Sequence, residues 1–151
     1  MDLINLRKAF KEGATLHGFL SGGGLRVFRV ELGGDLIGYG EHPHALDALA
    51  HVELWIGEKI PSSTSAYKSF YGVKFPHYLT GSSASGSSKL DSWMCQGYSV
   101  DAKYSKDDGV IVVDLKGSYS RDIKDEPKPV VISGSGVDLE EALERAFDNL
   151  D

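Results

Sequence analysis

Hydrophobic residues recur along the chain with two periods, and the change of period separates predicted strands from predicted helices. A first helix runs from a cap at Asp2 to about Glu12 and ends at Gly13. Three segments of period two follow, separated by glycine-rich turns, and this pattern is typical of strands. Those strands are predicted at residues 15–20, 25–32 and 36–41. A helix follows to about Ile56, with His42 as its cap and Pro43 in its first position.

The second part of the chain repeats the order of strands and helix. Strands are predicted at residues 98–104, 110–115 and 130–133, and the prolines within 125–129 interrupt the pattern before the last of them. Asp138 then caps a helix, and Glu141 stands three residues later, which is the spacing of a capping box.

The two parts also agree in detail. Adding 94 to the numbers of the apolar residues in the helix that ends near Ile56 gives apolar residues of the last helix. Each helix follows a Gly-x-Gly pair, Gly38 with Gly40 and Gly134 with Gly136. The sequence therefore predicts an α+β protein of two related (α)βββα halves, whose antiparallel sheets are each packed by a helix.

A serine- and aromatic-rich segment, residues 61–90, connects the predicted halves at residues 1–60 and 91–151. Residues 62–71 are predicted to form a short helix, because long structureless loops are uncommon in compact domains. The aromatic residues of this segment either bridge the halves or form an exposed surface for a partner. They are Tyr67, Phe70, Tyr71, Phe75 and Tyr78.

The stretch from Phe28 to Gly40, followed by an alanine-rich helix, resembles the double-stranded-RNA-binding domain. The stretch from Val131 to Leu143 is similar to the β-α unit of HicB-type antitoxins. Each resemblance covers about a third of the chain and implies a fold. The RNA-binding family holds phosphates with lysines at the start of its last helix, where this chain has residues 43–47 and 139–141 without lysine.

Charge and composition narrow the class of protein. The chain of 151 residues carries a net charge of −6, which argues against binding to a phosphate backbone. It contains one cysteine, has no apolar run long enough to span a membrane and begins without a secretory signal pattern. These features predict a cytoplasmic protein.

The histidines, the glycine-rich segments and the cysteine are the candidates for a metal, phosphate or catalytic site. His42, His44 and His51 are the densest histidine cluster, but their spacing does not match a metal-binding motif. Gly81 and Gly86 lack the Lys-Ser or Lys-Thr pair that completes a phosphate loop. Cys95, between methionine and glutamine, is expected to be a small buried apolar residue. The sequence thus predicts no catalytic constellation, no metal site and no cofactor.

Three functional hypotheses remain. The first is a non-catalytic binding protein that acts on a protein partner, analogous to phage-encoded inhibitors and anti-defence proteins, and able to form a homodimer through an exposed strand. The second is a small-ligand-binding protein or enzyme with a site between the halves. Its candidate residues are His42, His44, His77, Tyr78 and Trp93. The third is a nucleic-acid-associated protein, which the charge opposes.

Overall fold

The computed structural model describes residues 3–58, 88–119 and 128–149 of the chain. Its helices are α1 (Ile4–Lys11), α2 (Ala45–Glu58), α3 (Ser88–Cys95) and α4 (Leu139–Asp148). Its strands are β1 (Thr15–Leu20), β2 (Arg26–Leu32), β3 (Asp35–His42), β4 (Ser99–Ser105), β5 (Val110–Tyr119) and β6 (Lys128–Gly136). The predicted α+β class is confirmed.

The six strands form one sheet in the order β3-β2-β1-β4-β5-β6, and all neighbouring strands are antiparallel. The central pair is β1 with β4, which joins Thr15–Gly18 to Val100–Lys103. The predicted halves therefore contribute three strands each to a shared sheet instead of forming two separate sheets. That the halves are related to each other stays a prediction.

The four described helices cover one face of the sheet. Helix α2 packs on β3 and β2, α4 packs on β6 and β5, and α1 and α3 contact the central strands. One buried cluster contains residues from each of the four described helices and from four of the strands. Its buried strand residues are Leu16, Phe28, Val30, Val100, Ala102, Ile111, Val113 and Leu115.

Glycines allow α2 and α4 to lie directly against the outer strands. A Cβ atom at Gly40 would fall on the carbonyl oxygen of Ala48 in α2. A Cβ atom at Gly134 would lie 2.6 Å from the carbonyl oxygen of Ala142 in α4. The Gly-x-Gly pairs of the sequence therefore serve close contact between backbones at both ends of the sheet.

A second, smaller cluster involves the opposite face of the sheet. Val27 and Tyr39 are buried on this face. Trp55 of α2 belongs to the same cluster, and its ring lies 5.9 Å from that of Tyr39 on the outermost strand β3. Phe19 and Leu36 pack against them. This face is consequently covered at its β2–β3 end, whereas exposed side chains occupy the strands near the centre.

Several predicted boundaries are wrong. Helix α2 begins at Ala45, so Pro43 lies before the helix, and α3 occupies a stretch for which no helix was predicted. Strand β6 extends back through Pro129, which pairs with Ser118. Proline is tolerated there because β6 lies at the end of the strand order, where some backbone N–H groups need no partner within the sheet.

The predicted connecting segment, residues 61–90, lies outside the described residues up to residue 87, as does its predicted helix at 62–71. Within the described ranges, no helix combines the length and hydrophobicity needed to cross a membrane.

We expect Gly134→Ala to lower the free energy of unfolding by about 2 kcal/mol, because the new methyl group forces α4 away from β6. Gly22→Ala is the matched control, since a Cβ atom there meets no other atom within 4 Å. Urea unfolding followed by circular dichroism measures both variants. Equal stability of the two variants would contradict close packing at Gly134.

Candidate functional site

The histidine cluster found in the sequence is assembled at the start of α2. The ring of His42, at the end of β3, lies 5.7 Å from that of His44 and 5.6 Å from that of His51. The backbone N–H of His44 donates to Nδ1 of His42 at 3.0 Å. The tight turn at Pro43 thus brings together two of the residues predicted for a ligand site and adds His51 to them.

Helix α3 closes this cluster from the second half of the chain. Asp91 accepts the backbone N–H of Ala45 at 2.7 Å through Oδ1, so it caps α2 from another element. Its other oxygen lies 3.5 Å from Nδ1 of His44. Arg26 donates to the carbonyl oxygens of Pro43 and Asp91 at 2.8 and 2.9 Å. One carboxylate and one guanidinium therefore hold β2, α2 and α3 together.

Burial keeps the inner histidines of the cluster neutral. It lowers the pKa of His51 to about 3, and the nearby His42 acts in the same direction. Burial also lowers the pKa of His42, against the opposite effect of Asp47. Oδ2 of Asp47 is buried 3.6 Å from Nδ1 of His42 and has no hydrogen-bond partner in the described part of the chain.

The arrangement does not form a metal centre. Among residues 3–58, 88–119 and 128–149, no group of three or more histidine, cysteine, aspartate or glutamate side chains is placed to hold a metal ion. The contacts of the cluster are instead those that fix the start of α2 to the sheet and to α3.

The remaining predicted ligand residues lie elsewhere. Trp93 is buried, donates through Nε1 to the carbonyl oxygen of Ser99 at 3.1 Å and packs on Tyr98. His77 and Tyr78 lie outside the described residues, as do the predicted partner-binding residues Tyr67, Phe70, Tyr71 and Phe75. Cys95 is exposed, so the expectation of a buried thiol is wrong.

A second polar arrangement lies on the face of the sheet opposite the helices. One register position carries a polar side chain on every strand, and neighbouring members are direct cross-strand partners. We call these residues the polar row. From one edge to the other, they are Tyr39, Arg29, His17, Asp101, Asp114 and Ser133.

The centre of the polar row is an ion-paired cluster. Nδ1 of His17 lies 2.7 Å from Oδ1 of Asp101, and Nζ of Lys116 lies 2.9 Å from Oδ2 of the same carboxylate. Both oxygens of Asp101 are thus engaged. The side chains of His17 and Lys116 remain about half exposed, so the cluster is open to solvent.

The electrostatics of this cluster follow from its contacts. Burial acts to raise the pKa of Asp101, but hydrogen bonds from Lys116 and His17 outweigh it, so the pKa is lowered. The hydrogen bond and the charge of Asp101 raise the pKa of Lys116. Asp101 is therefore a carboxylate that is ionised well below neutral pH, and it fixes the orientation of the imidazole.

A shallow depression of about 230 Å³ surrounds this cluster over β1, β4 and β5. We call it the central depression. Its lining includes Thr15, His17, Asp101, Lys103, Val112, Asp114 and Lys116. Because β1 belongs to the first half and β4 and β5 belong to the second, the central depression lies where the halves meet.

Two other hollows occur among the described residues. One of about 200 Å³ separates α1 from α4 and is lined mainly by core residues such as Leu6, Phe10 and Leu139. A wide one of about 650 Å³ lies beside β6, where Arg145 of α4 and Asn149, directly after α4, donate to the carbonyl oxygens of Ser135 and Ser133, respectively. Neither gathers a cluster of ion pairs comparable with that of the central depression.

The sequence reasoning missed His17, Asp101 and Lys116 as a site. His17 and Asp101 are 84 positions apart, and no local motif contains them. The available signal was strand alternation, which places both on the solvent-facing side of predicted strands. Pairing β1 with β4 in the observed register is needed to bring them together.

Comparisons of the chain with protein-family models, with curated proteins and with solved structures yielded no match. The function of the chain must therefore be inferred from the geometry of its own residues.

We expect Asp91→Ala to lower the free energy of unfolding by about 2 kcal/mol, because it removes the cap of α2 and the partner of Arg26. Asp91→Asn should recover part of this loss, since an amide oxygen can still accept from Ala45. The exposed neighbour Ser92, changed to alanine, is the control. A loss in urea unfolding no larger for Asp91→Ala than for Ser92→Ala would refute the capping role.

We expect His51 to make stability depend on pH. Its pKa is about 3 in the folded state and 6.5 in the unfolded state, so the unfolded state binds the proton first as the pH falls. The contribution of His51 to the free energy of unfolding is therefore complete above pH 6.5. It decreases from there toward pH 3, with a limiting slope of about 1.4 kcal/mol per pH unit.

Chemical denaturation at several pH values between 7 and 4.5 measures this dependence, and His51→Gln should have a shallower slope than the natural protein. The comparison of slopes separates titration from any general loss of stability in the variant. Parallel curves for the two proteins would show that His51 does not titrate as described.

Proposed function

We propose that the protein is a non-catalytic binding protein that contacts a protein partner through the face of its sheet opposite the helices. We call this face, which carries the polar row, the open face. The observation that carries this proposal is the polar row, in which exposed or half-buried polar side chains are aligned across five strands, from Arg29 on β2 to Ser133 on β6, opposite the helical layer. Arg29, His17 and Lys116 are each between 45% and 50% exposed, so they are accessible to a macromolecule.

The dimensions of this surface suit a protein better than a small molecule. The five strands β2, β1, β4, β5 and β6, spaced at their usual separation, span about 19 Å, a width that allows a partner to contact several strands at once. The central depression, at about 230 Å³, is shallow and smaller than the usual range for small-ligand pockets. A partner that covers several strands would bury more of these side chains than a small molecule can.

The charges of the open face support a protein partner over a nucleic acid. Basic Arg29, Lys103 and Lys116 are interleaved with acidic Glu31, Asp101 and Asp114. A phosphate backbone requires a surface on which positive charge dominates. A face of mixed sign instead favours a partner with a complementary pattern of charges, which gives specificity and fixes the relative orientation of the two proteins.

A small ligand at the junction of the halves is the second candidate function. The contact between His17 and Asp101 favours it, because an imidazole oriented by a carboxylate is a common element of binding and acid–base sites. This candidate uses the central depression instead of the predicted residues His42, His44, His77 and Trp93.

We expect Arg29→Glu together with Lys103→Glu to abolish capture of the partner, because both changes reverse charges at exposed positions of the open face. Lys8→Glu together with Lys11→Glu is the matched control, since these residues are exposed on α1 in the helical layer. Captured proteins are quantified by mass spectrometry, and binding is then measured with the purified partner.

The expected result is a loss of affinity of at least about tenfold for the open-face variant and unchanged affinity for the control, with both variants folded by circular dichroism. A partner that binds the open-face variant normally would contradict the proposal.

The aromatic residues of the connecting segment remain a separate proposed contact surface. Tyr71→Asp and Phe75→Asp, assayed with the same partner, should lower the affinity only if this segment contacts the partner in addition to the open face.

A further inference from the structure

The hydrogen-bonding groups of the central depression are unequally occupied. Its acidic groups are largely satisfied within the protein: both oxygens of Asp101 contact His17 and Lys116, and Asp114 accepts from the hydroxyl of Ser133 at 2.6 Å. The donors are not. Lys103 has no ion-pair partner in the described part of the chain, and its cross-strand neighbour Thr15 also lines the depression.

The imidazole of His17 is held by its own partner and is not one of these unused donors. Nδ1 donates to the ionised carboxylate of Asp101, and in a neutral imidazole the other nitrogen, Nε2, is then an acceptor. The unused donors of the depression are therefore Thr15 on β1 and Lys103 on β4.

We propose that the central depression binds a carboxylate of the partner, with Lys103 and Thr15 as its recognition groups. This inference rests on the proposed function, because it assigns the chemistry of one contact within that interface. A carboxylate has two acceptor oxygens, which suits donors placed side by side on the paired strands β1 and β4. Both oxygens of Asp101 are already engaged by His17 and Lys116, so this carboxylate leaves the two recognition groups available.

The net charge of −6 affects the rate of binding more than the contact itself. At physiological ionic strength, charges farther away than about 8 Å are largely screened, so a bound carboxylate responds mainly to the donors that touch it. An acidic partner receives no long-range attraction from this protein. We therefore expect an association rate without electrostatic enhancement, together with a contact that weakens as salt is added.

Titration of the full-length ¹⁵N-labelled protein with acetylated hexa-aspartate amide, followed by NMR, tests the inference without the natural partner. Amide signals of Thr15, His17 and Lys103 should shift in a saturable manner, and hexa-asparagine should leave them unchanged. Lys103→Met should weaken the affinity about fivefold, whereas Lys106→Met, in the exposed turn between β4 and β5, should not.

Shifts spread over lysines of the whole surface, equal effects of the two lysine variants, or no saturable shift would overturn the carboxylate site. Tighter binding of inorganic phosphate at the same residues would overturn the assignment to a carboxylate.

The two proposals fail in different ways. If the natural partner binds Lys103→Met normally but is lost with the double variant at Arg29 and Lys103, the open face is the interface and the carboxylate contact is wrong. If hexa-aspartate binds as expected but no protein does, the site stands and the proposed protein-binding function is wrong.

Discussion

The pairing of β1 with β4 is the interaction on which the rest of the structure depends. It extends over four residue pairs, yet it converts two three-stranded units into one six-stranded sheet. It also creates the only backbone ladder between residues 15–42 and 99–136 in the described part of the chain. Because facing residues in an antiparallel pair share one side of the sheet, the same pairing sets Leu16 beside Ala102 in the core and His17 beside Asp101 on the open face.

The helical layer depends on carboxylates that reach across from other elements. Glu53 of α2 accepts the backbone N–H groups of Asn5 and Leu6 at the start of α1, and Asp91 of α3 accepts that of Ala45 at the start of α2. Such contacts satisfy donors that a helix cannot satisfy internally. They also make α1 depend on α2 and α2 depend on α3, so the cluster of His42, His44 and His51 is best understood as part of the attachment of α2. The centre of the open face has no part in these helix contacts and is the surface that we propose for recognition.

The sequence predicted the bounds and caps of an element correctly where residues within or beside that element determine them. Strand β1 was predicted with its observed bounds, and Asp138 caps α4 as its capping-box spacing indicates, accepting the N–H of Glu141 at 2.8 Å. The prediction of an element was wrong where a residue distant in sequence holds the element in place or caps it. Helix α3 has a weak local pattern and is held by contacts with Arg26 and α2, and α2 starts at Ala45, where the cap comes from Asp91 and not from His42. Pro129 alone predicts a break in the strand pattern, and only its place on the outermost strand of the sheet explains why β6 includes it.

The sequence by itself determined the class of fold and the apolar side of the amphipathic helices and strands, because periods of two and of three to four residues report which side of an element avoids water. It also indicated the close approach of helix and strand through Gly40 and Gly134. Only the tertiary structure decided which strands are neighbours and in which register they pair, since a slip of one residue would exchange the two faces of a strand. The polar row and the contact between His17 and Asp101 are products of that register. For this reason no pattern within a single segment could have predicted them.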